Sequence, residues 1–371
     1  MFKDSDVGLS SSKVLEQTIN WRQYADSKLI NEADLGLMGD YDKQLEEDQA
    51  TMFDERGGEL AQLFIKILCS ISHEPTKQYV LALIDLLLTK DENRRRAFHG
   101  IHSSSNNCYQ PFFSILTRGT DHPYTIAKAC RILSILLAKD VDGSSREIEE
   151  YFQAIFSRLD TARGVDLLVS VSSLKIMLRN PDSHAAFFKL GGPKVLIPLL
   201  RVDTQNTQLM YFLAFCIWLL TFNTDNLPLL AENEVCLRLA EVLRAVLKEK
   251  VVRVVMASLR NLLDRASFNE QMISAGLSRI LPALAARKWN DEDLVSDLDA
   301  VSSKLEQAVA EFSSYERYSA EILSGNLEWS PVHNEKFWRE NVHKFENDNL
   351  NLIRCLISLL DSEDGLTLEV A

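Results

Sequence analysis

Two histidines and a cysteine come closest in this sequence to the spacing of a metal site. His99 and His102 form an HxxH pair, and Cys108 follows shortly after. Zinc requires three or four ligands at fixed geometry, and no second ligand pair accompanies these residues. The pattern is therefore more typical of a surface turn than of a metal centre.

The motifs of hydrolytic and nucleotide chemistry are equally weak. The seven histidines form no evident triad, and no GxSxG elbow occurs. Gly191 and Gly192 could suggest a phosphate cradle, but neither GxGxxG nor GxxxxGK(S/T) accompanies them. We therefore expect a protein that is not an enzyme and that holds no cofactor and no metal.

Clustered cations are the remaining side chains that suggest a contact. Lys250, Arg253 and Arg260 fall on one side of a predicted helix, and Val255 and Leu259 fall on the other. The three cations could bind an acidic or amphipathic segment of a partner. They could equally form an ordinary solvated face.

The helix dipole accounts for two further charged runs. Arg94 to Arg96 lie at a predicted helix end, where cations are favoured without a partner, and docking of an acidic partner is the alternative. Asp291 to Asp293 lie at a predicted helix start, where carboxylates cap the helix. Neither charged run needs a catalytic role to explain its position.

The elements that would present these charges are helices that recur at a fixed distance. Four leucines follow one another in steps of 42 residues, namely Leu136, Leu178, Leu220 and Leu262. Seven residues before each leucine stands another apolar residue, namely Ala129, Val171, Leu213 and Val255. Three residues before each leucine the residue is again apolar, except at Lys175. This spacing predicts the same buried face in four successive helices.

Glycines and prolines repeat beside these helices. Gly192 and Gly276 are separated by two such periods, and so are Pro198 and Pro282. Glycine permits a tight turn between helices, and Pro193 suits the first turn of a helix. These positions predict helix–turn–helix units.

A period of about 42 residues with two or three helices per unit is typical of armadillo and HEAT repeats. We predict an all-α fold: an armadillo/HEAT-like α-solenoid with a right-handed superhelix, then a long helix, a linker and the start of a second small helical domain. The clear repeats span about residues 111–287. Stacked repeats of this kind offer a concave groove to partners.

The long helix is predicted from Asp291 to about Leu323. Its apolar residues from Leu294 to Tyr315 follow steps of four and three, which is a heptad seam. The seam could pack along the last repeats or dock a partner's coiled coil.

The chain is predicted to divide into four segments. They are an irregular N-terminal segment with one amphipathic helix at 1–50, the solenoid at 51–324, a linker at 325–335 and the start of a C-terminal helical domain at 336–371.

Composition limits the partners and the compartment. The 371 residues carry a net charge of −13, which argues against nucleic-acid binding. The six cysteines form no CxxC pair and several lie in apolar runs, which favours reduced thiols in the cytosol. The N-terminus lacks the apolar core of a signal peptide, and the apolar run at 209–220 is too short to span a bilayer.

Several stretches together resemble a known family. They are INWRQY (19–24), KEKVVRVVMASLRNLL (248–263) and the segment from WNDED to WREN (289–341). The most specific string is LEWSPVH (327–333) followed by FWREN (337–341). These stretches closely resemble the H subunit of the vacuolar-type proton ATPase.

The resemblance implies a non-catalytic regulatory subunit that couples ATP hydrolysis in the cytosolic sector to proton transport and silences hydrolysis by the detached sector. The implied partners are the peripheral-stalk E and G subunits, and the central rotor or the a subunit, which is the stator arm of the membrane sector. Nucleic-acid binding and direct membrane insertion are not expected. The implied location is the cytosolic face of vacuolar and endosomal membranes.

Nine residues are the candidates for contact with these partners: Trp21, Tyr24, Lys250, Arg253, Arg260, Trp329, Phe337, Trp338 and Arg339. The final TLEVA matches the early part of the family's C-terminal domain. From this we expect stalk docking without silencing of the free catalytic sector.

An armadillo adaptor that binds peptides of trafficking or signalling proteins is the alternative function. Such an adaptor would show a ladder of asparagines along its groove. Asn261 fits that ladder, but the equivalent position one period earlier is Leu219.

Overall fold

The computed structural model describes residues 9–103, 106–119, 121–139, 145–200, 206–263, 265–325, 327, 335–347 and 350–360. Within these ranges the chain is almost entirely helical, as predicted. It forms two compact units, Met1–Ser258 and Leu259–Ala371.

The first unit begins with seven helices: α1 (Ser11–Leu15), α2 (Trp21–Asp26), α3 (Glu32–Asp42), α4 (Glu46–Ser70), α5 (Glu74–Lys90), α6 (Arg95–His99) and α7 (Gln110–Arg118). Two strands of two residues each, β1 (His102–Ser103) and β2 (Asn106–Asn107), pair antiparallel between α6 and α7. The sequence predicted no strands. It also predicted one helix in residues 1–50, where the structure has α1 to α3 and the start of α4.

Polar caps explain why short helices form near the N-terminus. The Asn31 side chain accepts a hydrogen bond from the Asp34 backbone N–H at 2.8 Å, and the Asp34 carboxylate accepts one from the Asn31 N–H at 2.9 Å. This reciprocal pair satisfies two donors at the start of α3 that have no helical partner. A search for apolar periodicity does not detect such caps.

The remaining helices that begin in the first unit are α8 (Pro123–Leu137), α9 (Arg146–Thr161), α10 (Gly164–Met177), α11 (His184–Lys189), α12 (Gly192–Leu196), α13 (Thr207–Leu220), α14 (Leu227–Ala231), α15 (Val235–Ala245) and α16 (Glu249–Leu262). Consecutive repeat helices contact one another: α5 contacts α8, α8 contacts α10, and α10 contacts α13. We call α5, α8, α10 and α13 the repeat row.

The predicted 42-residue register is confirmed. Leu136, Leu178, Leu220 and Leu262 stand at or next to the last residues of α8, α10, α13 and α16, and each is at most 1% exposed. The apolar residues seven positions earlier are fully buried as well. Burying one such side chain contributes about 1.5–3 kcal/mol. Each of the four helices therefore buries the same face of its own repeat.

The structure corrects the predicted glycine register by one residue. Gly191 and Gly276 both cap the start of a helix in the left-handed region with φ of 78°, so Gly191 is the equivalent of Gly276. Gly192 is restricted for another reason, because a Cβ at this position would overlap the Phe187 ring. Pro193 lies in the first turn of α12, as predicted.

The second unit contains α17 (Ala266–Ser274), α18 (Leu277–Ala285), α19 (Glu292–Ser324), α20 (Glu335–Asn347) and α21 (Asn351–Leu359). Helix α19 is the predicted long helix, and the Asp291 side chain caps it by accepting from the Leu294 N–H at 3.1 Å. Leu294, Leu298, Val301 and Leu305 are buried, and α19 contacts α17 and α18. This part of the heptad seam therefore packs inside the chain.

The predicted segment boundaries at 51, 325 and 336 remain predictions. Most of the predicted linker at 325–335 lies outside the described residues. The division between the two compact units falls earlier, within α16.

None of the described helices is by itself long and apolar enough to cross a bilayer. Helices α13 and α14 reach that apolarity only as a pair with a bend of 103° between them.

Replacing Leu220 by Asp tests the repeat register. The side chain has no exposed surface, so Leu220→Asp would bury an unpaired carboxylate and lose leucine contacts. We expect the free energy of unfolding, measured in urea by circular dichroism, to fall by at least about 3 kcal/mol. Leu247→Asp is the control, because Leu247 is 46% exposed and should change stability by less than about 0.5 kcal/mol. An unchanged transition for Leu220→Asp would contradict the register.

His184 should make stability depend on pH. Its Nε2 hydrogen-bonds the Leu178 carbonyl oxygen at 2.8 Å, and burial lowers the pKa of His184 below 6.5. Because the unfolded imidazole binds a proton more readily, this stabilisation is present above pH 6.5 and is lost as pH falls through the folded-state pKa. We expect the wild type to lose up to about 1.4 kcal/mol more per pH unit than His184→Gln between pH 6.5 and 5. Parallel stability profiles would exclude this role.

Candidate protein-interaction face

His99 and Cys108 lie in packed structure. His99 Nε2 hydrogen-bonds the Leu136 carbonyl oxygen at 2.8 Å, and its ring lies against Tyr109. Cys108 is buried, which raises the pKa of its thiol to about 12. In the part of the chain that the structure describes, no three His, Cys, Asp or Glu residues come together as a metal site.

A buried polar cluster joins α5 to the start of α8. Lys77 Nζ forms ion pairs with Glu74, at 2.9 Å, and with Asp121. Glu74 also accepts a hydrogen bond from the Thr125 hydroxyl. Burial opposes ionisation of Glu74, but the hydrogen bonds from Thr125 and Lys77 outweigh it and lower the pKa of this carboxyl. The cluster links adjacent repeats by charge.

A second buried cluster lies further along the same two helices. Asp85 accepts from Lys128 Nζ at 2.5 Å and from Arg131 at 3.0 Å, and the Lys128 and Asp85 side chains are only 7% and 8% exposed. We call the two clusters together the polar seam. The apolar pattern of the sequence does not predict the polar seam, although its opposite charges stand 43 and 44 residues apart, close to the repeat period.

Aromatic rings line one side of α13. Tyr211, Phe215, Trp218 and Phe222 stand at successive steps of four, three and four residues, and their neighbouring ring centroids are 5.9, 5.2 and 5.1 Å apart. The first three rings are half-buried, and Phe222 is 59% exposed. We call these four residues the aromatic ridge.

Lysines from two other helices approach the ridge. Lys175 on α10 places Nζ 4.0 Å from the Phe212 ring centroid and 5.9 Å from that of Phe215. Lys250 on α16 lies 5.4 Å from the Tyr211 centroid and bonds the Gln208 side-chain oxygen at 3.0 Å. A cation over a ring face is attracted by the electron density of the ring. Lys175, the residue that breaks the leucine pattern, is therefore held by aromatic faces.

The predicted cationic face of α16 is exposed. Lys250, Arg253 and Arg260 are all exposed, whereas Val255 and Leu259 are fully buried. The division of the helix into two faces is as predicted. Contact of the three cations with a partner remains a prediction.

The arginine run at 94–96 makes local contacts. Arg94 forms two hydrogen bonds of 2.8 Å to the Asp54 carboxylate, which lower the pKa of that carboxyl. Arg95 is 3% exposed and donates to the Glu92 carbonyl oxygen at 2.8 Å. These bonds account for two of the three arginines without a partner protein.

Trp21 and Tyr24 are engaged within the first unit. Trp21 is 6% exposed, and its indole N–H donates to Asp42, which also accepts from the Tyr79 hydroxyl at 3.0 Å. The Tyr24 hydroxyl bonds the Thr76 hydroxyl at 2.7 Å. Both side chains tie the N-terminal helices to neighbouring elements, which favours packing over partner contact.

Of the C-terminal candidates for partner contact that the structure describes, two side chains pack in an apolar cluster and one is exposed. Phe337 is 5% exposed in an apolar cluster that also contains Tyr318 and Phe345, and Trp338 packs against that cluster. Arg339 is exposed on α20. Trp329 lies outside the described residues.

Helices that recur at one fixed period and bury one shared face define a helical-repeat protein of the armadillo type. Among solved structures, a designed armadillo repeat protein in complex with the peptide (KR)4 superimposes with a TM-score of 0.54 at 15% identity, over 67% of this chain and 99% of that one. An engineered protein superimposes with a TM-score of 0.59 at 14% identity, over 99% of this chain and 86% of that one. At these identities the likeness concerns the fold alone.

The chain belongs to the V-ATPase H subunit family. Two models of that family match it, one for the N-terminal part over residues 7–305 and one for the C-terminal part over residues 311–371. A probable V-type proton ATPase H subunit of Oryza sativa subsp. japonica is 35% identical, over 98% of this chain and 85% of that protein. The V-type proton ATPase H subunit of Drosophila melanogaster is 31% identical, over 97% of this chain and 78% of that protein.

Asp85→Ala tests the polar seam. The change leaves Lys128 and Arg131 without their shared carboxylate, and removing one partner of a buried pair costs about 3–5 kcal/mol. We expect that loss in the free energy of unfolding measured in urea. Lys189→Ala is the control, because the Lys189–Glu149 pair is exposed at the lysine and should matter by less than about 1 kcal/mol. A loss below about 1 kcal/mol for Asp85→Ala would show that the seam does not hold the repeats.

Proposed function

We propose that this chain acts as a non-catalytic regulatory subunit of a V-type proton ATPase, which docks on the peripheral stalk and couples ATP hydrolysis to proton transport. The observation that carries the proposal is the match to both models of the H subunit family, over residues 7–305 and 311–371. The finer role rests on physical arguments from the repeats.

A rotary pump needs stator contacts that resist torque, and such contacts require area and stiffness. Helical repeats supply both, because each repeat is fixed by its neighbours. In this chain the leucine face is buried at four levels, and the polar seam fixes α5 against α8 by charge. Sliding of one helix past the other would separate buried opposite charges, which is costly in a medium of low polarity.

The proposed partners are the peripheral-stalk E and G subunits, and the central rotor or the a subunit. The exposed arginines of α16, Arg253 and Arg260, are proposed to contact a stalk subunit, and Arg339 on α20 a second partner. Arginine suits this role because its planar fork binds carboxylates in a bidentate manner. Charge pairs of this kind set the orientation and rate of docking more than the affinity.

The proposed location is the cytosolic face of the membrane that carries the pump. All six cysteines are free, and burial raises the pKa of the Cys130 thiol to about 11 and those of Cys216 and Cys236 to about 12. Such thiols stay protonated and unreactive, which suits a reducing compartment.

Reconstitution tests the proposed function. Adding the chain to vesicles whose proton pump lacks its H subunit should restore ATP-driven proton uptake, followed by quenching of a pH-sensitive dye. Arg253→Glu with Arg260→Glu should need at least tenfold more protein for half-maximal uptake, because like charges would then face each other across the contact and repel. Arg118→Glu, at an exposed arginine on α7, is the control and should behave as wild type.

Two outcomes would contradict the proposal in different ways. If the wild-type chain restores no uptake at saturating concentration, the proposed function is wrong. If the double variant restores uptake as well as the control does, the function stands and the assignment of the α16 arginines is wrong.

A further inference from the structure

Helix α13 is apolar on two sides. Its buried side carries Met210, Leu213, Ile217 and Leu220, none of which is exposed. Its other side carries the aromatic ridge, which keeps its rings partly in solvent and ends in Phe222 with 59% exposure. An ordinary helix of a soluble repeat presents polar residues on its second side. Contiguous exposed apolar surface of this kind marks an interaction site.

The ridge has the spacing of a helix-packing seam. Steps of four and three residues keep Tyr211, Phe215 and Trp218 on one stripe of α13, about 10 Å long at 1.5 Å per residue, and Phe222 continues the stripe just past the end of the helix. The a and d positions of a coiled coil have the same spacing. A second helix laid along the stripe would meet a ring at each turn.

The charges beside the aromatic ridge indicate which side chains a partner helix must carry. Lys175 and Lys250 lie over rings of α13, and no carboxylate among the described residues forms an ion pair with Lys175. Arg179 also acts on the Lys175 ammonium as a like charge, whereas Arg131 is paired with Asp85. In a chain with a net charge of −13, Lys175 and Lys250 place two positive charges beside these partly exposed aromatic rings.

We propose that the aromatic ridge with Lys175 and Lys250 binds an amphipathic helix of a partner protein, whose apolar stripe is flanked by Asp or Glu residues. The apolar stripe packs on the rings of Phe215, Trp218 and Phe222. The flanking carboxylates pair with Lys175 and Lys250 and exchange cation–ring contacts for charge-assisted hydrogen bonds. Tryptophan and tyrosine at the centre of such a contact carry much of its affinity. The proposal does not rest on the proposed role in the pump.

The test uses two synthetic helices and the full chain. Each peptide is three heptads long and carries a fluorescein label and leucine at every a and d position, and the two differ only in having Glu or Lys at every e and g position. Like charges at e and g keep both peptides from forming dimers, so that each binds as a monomer. Fluorescence anisotropy then gives the dissociation constant of each peptide.

The expected result is binding of the Glu peptide with a dissociation constant below 100 μM, and at least tenfold weaker binding of the Lys peptide. Phe222→Ala and Trp218→Ala should each raise the dissociation constant of the Glu peptide at least fivefold, and Lys175→Gln should raise it at least threefold. Lys189→Gln, on α11 and paired with Glu149, is the control and should change nothing. Circular dichroism establishes that each variant is folded, and the exposed Phe222 keeps the test valid if Trp218→Ala unfolds.

Three outcomes would overturn the proposal. The first is no binding of the Glu peptide at 1 mM chain. The second is a failure of either comparison: the Lys peptide binds as tightly as the Glu peptide or more tightly, or Phe222→Ala and Lys175→Gln leave the affinity for the Glu peptide unchanged. The third is a wild-type dimer in sedimentation that Trp218→Ala abolishes, because the ridge would then bind a second copy of this chain.

Discussion

The fold of this protein depends on one constraint, which is that a single helical repeat cannot bury its own apolar face. Leu136, Leu178 and Leu220 lose contact with water because neighbouring helices of the array cover them. Each helix thus buries the apolar face of its neighbour and needs a neighbour to bury its own. The stability of one repeat is shared with the next, and a stiff array follows from the same contacts that fold the chain.

The polar seam fixes how far one helix is offset along its neighbour, which apolar burial alone does not determine. Leucine faces attract one another at more than one offset, because the hydrophobic effect has no direction. The Asp85–Lys128 and Lys77–Asp121 pairs have direction, since a shift of one helical turn would leave buried charges unpaired. Apolar burial favours contact between α5 and α8, and the ion pairs select a single alignment.

Helix α13 carries a second apolar side, the aromatic ridge, whose rings stay partly in solvent. The side that includes Leu213 and Leu220 is fully buried, whereas the aromatic ridge leaves its rings partly in solvent, which is unfavourable for apolar groups. Lys175 and Lys250 cover ring faces of α13 with cations, and they give the surface a charge. A partly exposed apolar surface of this kind is where a partner is expected.

The sequence by itself determined the repeat, its 42-residue period, the buried positions and the long helix, because periodicity follows from helix geometry alone. It also determined the family through long strings of residues around 248–263 and 327–341. Only the tertiary structure decided the roles of individual polar and aromatic residues. Trp21 serves packing, Lys175 lies on rings, and the polar seam exists, because each depends on which side chains meet across separate helices, and spacing along one helix does not specify that.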